Sequence, residues 1–191
     1  MSRESFDRYD EYKSLNISKE TEAAWRKEKT EAMFSAFPYD DAKRFCIYFS
    51  SLRDQIEGTL EEIECLANIA DTIKDRIPFN EVDIRCFVST ITGSNGLATH
   101  GGLIELAHRK GCYSAVSKFV DICKTLLLKA MEHDVELSFV YGYFVDVVEY
   151  YKLEVDNNLL TLFRQRNETI TFRYYYKGAK DGNVFSMRML A

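Results

Sequence analysis

Between Val116 and Tyr151 apolar side chains return every three or four positions: Val116, Phe119, Val120, Cys123, Leu126, Leu127 and Ala130, then Leu137, Val140, Tyr141, Phe144, Val148 and Tyr151. That spacing puts each set on one face of an α-helix. Two such stripes, over residues 114–133 and 135–153, are too wide to stand in water and must be covered by other helices. They make the chain a helix-on-helix domain with these two segments at its centre.

The same period reaches back toward the N-terminus. Phe45, Phe49, Leu52, Ile56, Leu60, Ile63, Ala67, Ala70 and Ile73 form one stripe, along one or two consecutive helices. Glutamates lie early in it (Glu57, Glu61, Glu62, Glu64) and Lys74 and Arg76 late, the order that the helix dipole favours. Asn80 is a helix cap for residues 81–92. A shorter helix is expected over residues 97–110, with Gly101 and Gly102 near its start and Gly111 as its C-terminal cap. Asp156 caps another over residues 157–166. Upstream, Ser18 caps a helix over residues 18–37 that Pro38 ends, and residues 1–17 carry no period and read as an arm.

At Glu168 the period changes. ETITFRYYY is β-branched and aromatic and alternates, with Ile170, Phe172, Tyr174 and Tyr176 on one side. After the turn-rich KGAKDG comes NVFSMRML, where Phe185, Met187 and Met189 share a side. The pattern predicts a β-hairpin over residues 167–191, following a helical domain over residues 18–166. The fold class expected is therefore mainly α, a bundle or short stack of about six to eight helices, with a C-terminal β-hairpin.

The 191 residues are 46% hydrophobic and 29% charged, globular values that stand apart from the disordered class. Net charge is −5, and residues 163–191 alone carry +4, so the rest of the chain carries −9. Cys46, Cys65, Cys86, Cys112 and Cys123 are odd in number, form no C-x-x-C pair, and fall in apolar helical patterns. They read as reduced, buried thiols, which places the chain in the cytoplasm or nucleus. The first residues lack the apolar core of a secretory signal, and no apolar run reaches membrane-spanning length.

Few residues fall in patterns that carry chemistry. His108 and Cys112 are one helical turn apart, with His100 and Glu105 near, but zinc wants four ligands in two close pairs, and histidines at the surface beside a buried thiol account for the pattern. GSNGLATHGG lacks the preceding strand and the lysine-hydroxyl pair of a phosphate loop and reads as an interhelical turn. Asp146 and Glu149, with Glu154 and Asp156 nearby, do acid-base work only where burial separates their pKa values. Cys112 and Cys123 have no adjoining base. No catalytic residue, metal or cofactor is assigned, and the expectation is a protein that is not an enzyme.

PYDDAKRFCI at Pro38 and PFNEVDIRCF at Pro78 align at an offset of 40 residues, a period found in two-helix repeats, while chance or shared helix-start chemistry is the preferred account. LIELAHRKGCYSAVSKFVDICKTLL and FVYGYFVDVVEYYKLEVDNNLLTLF carry an apolar-aromatic-Cys pattern followed by a Phe-x-x-x-Val pair before a polar turn. From Leu103 to Phe163 this resembles the HEAT-like middle-domain family of the translation-initiation scaffold. The resemblance implies a protein or RNA adaptor in mRNA metabolism.

An isolated two-stranded hairpin is marginal in water, so the terminal segment must pack on the helices, pair with another chain, or order on binding. Its predicted contact residues are Phe172, Arg173, Tyr174, Tyr175, Tyr176, Phe185 and Arg188. Three functions suit such a segment. The first is a protein interaction scaffold, acting through a helical groove or the hairpin and including a homodimer. The second is an RNA-associated adaptor whose aromatics stack on bases while Arg and Lys neutralise phosphate. The third is an apoptosis-regulator-like bundle that receives a partner helix in a groove. If the hairpin instead only caps the core, its arginines pair with acidic helices.

Overall fold

The computed structural model describes residues 59–77, 79–93 and 102–191, together with residue 28, which lies in a helix. The chain divides into two compact units, Met1–Phe37 and Pro38–Ala191. Everything below concerns the second. The expected helix over residues 18–37, the stripe before residue 59, residues 94–101 with His100 and the expected helix start at Leu97, and the paired prolines Pro38 and Pro78 lie outside the described residues.

Seven α-helices make up the described part: α1 (Leu60–Ile73), continued by a 3-10 turn (Lys74–Arg76), α2 (Glu81–Thr92), α3 (Leu103–Arg109), α4 (Tyr113–Glu132), α5 (Val140–Tyr151), α6 (Asn157–Lys180) and α7 (Val184–Leu190). α4 packs on α1, α2 and α3, and α5 packs on α2, α3 and α6. The two stripes read from the sequence are thus the centre of the core. Phe119 of α4 and Tyr141 and Phe144 of α5 are fully buried, as are Phe87 of α2 and Phe163 of α6. Each such ring contributes on the order of 1.5–3 kcal/mol by leaving water.

Helix starts follow local chemistry. Thr59 Oγ1 accepts from the Glu62 amide at 3.2 Å while Glu62 Oε2 accepts from the Thr59 amide at 3.1 Å, a reciprocal cap that opens α1. Asn80 Oδ1 accepts from the Asp83 amide at 3.0 Å and opens α2 as expected. Gly102 opens α3 where no side chain fits: a Cβ there would stand 2.6 Å from the Thr92 carbonyl carbon and 2.7 Å from the Gly93 nitrogen. The start of α3 therefore lies against the end of α2.

Four helices end alike. The chain turns left-handed at Gly111, Asp134, Lys152 and Gly182, with φ of 73°, 52°, 53° and 83°. In each case the next amide reaches back five residues: Cys112 to Ala107, Val135 to Ala130, Leu153 to Val148 and Asn183 to Gly178, at 2.8 to 2.9 Å. This closes the last carbonyls of α3, α4, α5 and α6. Phe139, at φ 67°, is a further left-handed residue and delays the start of α5 to Val140, five residues later than the sequence predicts.

The β-hairpin is not formed. ETITFRYYY lies within α6, which runs unbroken from Asn157 to Lys180, and NVFSMRML supplies α7 with its cap Asn183. No strand occurs among the described residues. The boundary expected at residue 166 falls in the middle of α6. The alternation misled because a second spacing runs through the same residues. Leu160, Phe163 and Ile170 are buried with Asn167 partly so, at intervals of three, four and three, and this helical stripe is the one that meets α5. Local β propensity gave way to that burial. KGAKDG is not a hairpin turn but the end of a helix, closed by Gly182.

Candidate interaction surface

α6 begins at Asp156, whose Oδ1 accepts from the Asn158 amide at 2.8 Å. Its 24 residues span ~36 Å. The first half is fixed to the core by Phe163, whose ring lies 5.4 Å from that of Tyr141 and 5.7 Å from that of Phe144. Beyond Ile170, the last buried residue of α6, the helix leaves the core and packs against α7.

The two helices meet at Gly178. A Cβ there would collide with the side chain of Ser186, which is 3% exposed, so glycine on α6 and serine on α7 permit the close approach. Asn183 Oδ1 accepts from the Ser186 amide at 3.0 Å and fixes the start of α7. Tyr175 is half-buried between the helices, with its ring 6.0 Å from Phe185, 5.5 Å from Tyr174 and 6.3 Å from Phe139.

Outside this seam the hairpin of helices is apolar and exposed. Seven of the fourteen large hydrophobic side chains exposed among the described residues are here: Phe172, Tyr174, Tyr176, Val184, Phe185, Met187 and Met189. Phe172 and Tyr176, one turn apart, stack at 6.0 Å and 17°, and Lys180 Nζ lies 4.7 Å from the Tyr176 ring centre. Scattered exposed hydrophobics are ordinary, and half of those exposed among the described residues are gathered on these two short segments.

The predicted contact residues fare unequally. Phe172, Tyr174, Tyr176, Phe185 and Arg188 are exposed on the two helices. Tyr175 belongs to the seam. Arg173 points to the body, with Nη1 2.7 Å from Glu136 Oε1. Arg166 lies 2.6 Å from Asp134 Oδ1, and Arg164 pairs with Glu149. Half of the basic tail is thus engaged with acidic residues of the body. Arg166 holds the Asp134 carboxyl below the usual carboxylate range by donating a hydrogen bond to it and by its charge. Val184, Met187 and Met189 join the surface although the sequence reading did not place them among the contacts. Counting them at helical rather than strand spacing brings them out.

Other candidates resolve as packing. Among the described residues no group of three His, Cys, Asp or Glu side chains is placed to hold a metal. His108 lies between Tyr151 at 4.6 Å and Tyr113 at 5.8 Å, and Cys112 is buried with its sulfur 3.8 Å from Ser114 Oγ. Cys65 and Cys123 are buried thiols, Cys86 is half-buried, and burial pushes the Cys123 thiol well up. Partial desolvation raises the Asp146 carboxyl and the Glu149 charge adds to it, while Glu149 itself pairs with Arg164 on the surface. Among the described residues no helix is long and apolar enough to cross a membrane.

No protein-family model, no curated protein and no solved structure matches the chain.

Proposed function

We propose that this chain is a non-enzymatic protein interaction module whose α6–α7 hairpin is the docking surface. The observation that carries this reading is the gathering, on that hairpin beyond the end of the core, of half the large hydrophobics exposed among the described residues. Aromatic, Met and Arg side chains are the types that interface centres favour. Met187 and Met189 add adaptable contact.

The test is a paired pull-down from native lysate with the wild-type chain and a Phe172→Ser/Tyr176→Ser/Phe185→Ser variant, with and without nuclease. These side chains are exposed, so the variant folds with an unchanged melting temperature to within a few degrees. Proteins held by the wild type and lost by the variant support the reading. An identical set on both removes it.

The second reading is an RNA-associated adaptor in mRNA metabolism, which the HEAT-like resemblance of residues 103–163 also suggests. Lys180 beside the exposed Tyr176 favours it. The engagement of Arg164, Arg166 and Arg173 by carboxylates leaves few cations for phosphate. RNA binding that weakens steeply with salt would support this reading, and its absence at low salt would remove it.

A further inference from the structure

We infer that the α6–α7 hairpin receives an acidic amphipathic helix from another protein, an inference that rests on the docking reading above and names the partner's chemistry. Its shape comes first. Phe172 and Tyr176 form one ridge a helical turn apart, and Phe185 and Met189 form another. Ridges at this spacing fit between the side chains of a facing helix. With no strand among the described residues, strand addition has no edge to use here.

Charge comes second. Residues 168–191 hold Arg173, Lys177, Lys180 and Arg188 against Glu168 and Asp181, within a chain of net charge −5. Arg173 is turned to Glu136, which leaves Lys177, Lys180 and Arg188 against Glu168 and Asp181, a net +1, with Lys180 beside the Tyr176 ring. A positive rim around an apolar surface selects a partner with apolar residues on one helical face and carboxylates beside them.

The same charges argue against other occupants. Two copies joined by this face about a two-fold axis would set one net positive face against another. RNA gains little from Val184, Met187 and Met189, which have no ring to stack on a base.

The experiment displays a random library of 18-residue peptides to the full chain, with the Phe172→Ser/Tyr176→Ser/Phe185→Ser variant as counter-selection. Expected winners carry net negative charge and apolar residues at i, i+3, i+4 and i+7. A synthetic winner should lose about tenfold or more in affinity on the variant. A Lys177→Glu/Lys180→Glu/Arg188→Glu chain, which keeps the apolar ridges, should select basic peptides instead. Hairpin-dependent winners that are neutral or basic on the wild type overturn the acidic partner and leave the docking surface standing. No hairpin-dependent winner overturns both. A dimer mass in light scattering that the Phe185→Ser change abolishes makes a second copy the occupant and overturns the inference. Binding of a 20-nucleotide RNA or of phosphatidylserine vesicles through the same side chains overturns it as well.

Discussion

Arg166 on α6 lies 2.6 Å from Oδ1 of Asp134, the left-handed residue that ends α4. One aspartate therefore does two things. Its short side chain tolerates the turn that closes α4, and its carboxylate holds α6 against the α4–α5 connection. Arg173 repeats the second role on Glu136, two residues further along the same connection.

The Asp134 carboxyl is lowered by Arg166 from its ordinary value of 3.8. A lowered folded value means stabilisation that is full above the ordinary value and is lost as pH falls through the folded one. Urea midpoints of the wild type and Asp134→Asn should differ by a constant amount above about pH 4 and converge below it. A gap that persists unchanged at pH 2 would show that the charge pair is not its source.

Gly178→Val should detach α7 without unfolding the core, because the added side chain meets Ser186 and α7 packs chiefly on α6. Hydrogen exchange should quicken across residues 184–190 while α4 and α5 keep their protection. A Gly178→Ala chain should regain most of its protection on adding Ser186→Gly, since the double change restores the space. Equal protection in all four chains would refute the close approach.

Gly102→Ala is the more damaging glycine change. The new methyl would meet backbone atoms of Ile91, Thr92 and Gly93, which have no rotamer to move to. The expected loss is about 1–3 kcal/mol in chemical unfolding. A neutral result would show that the α2 and α3 ends stand further apart than the geometry gives.

Phe163→Ala should cost about 3–5 kcal/mol. The ring is fully buried and joins α6 to Tyr141 and Phe144 of α5. Phe172→Ala, exposed on the same helix, should change stability by no more than about 0.5 kcal/mol. Similar losses for the two would mean that the outer half of α6 is covered in the folded chain.

Much of this was legible in the residues. The stripes of Phe119 and Phe144, the Asn80 and Asp156 caps and the Gly111 end are short-range patterns, and local chemistry alone sets them. The aromatic side chains of the tail were conspicuous too, and Phe172, Tyr176 and Phe185 are exposed. Their geometry was not. ETITFRYYY satisfies a strand period and a helix period together, so no count along the chain can choose between them.

What chose was burial at a distance. Ile170 continues the stripe that begins at Leu160 and Phe163, and keeping that stripe against α5 requires the helix to run on through Thr171 and beyond. Two of the carboxylates that answer the basic tail, Glu136 and Asp134, lie 30 or more residues away in sequence. The sequence by itself determined helix-on-helix architecture, because amphipathic periodicity is a local property. Only the tertiary structure decided that the tail is a pair of helices with its apolar side turned outward, because that depends on which faces the core had already taken.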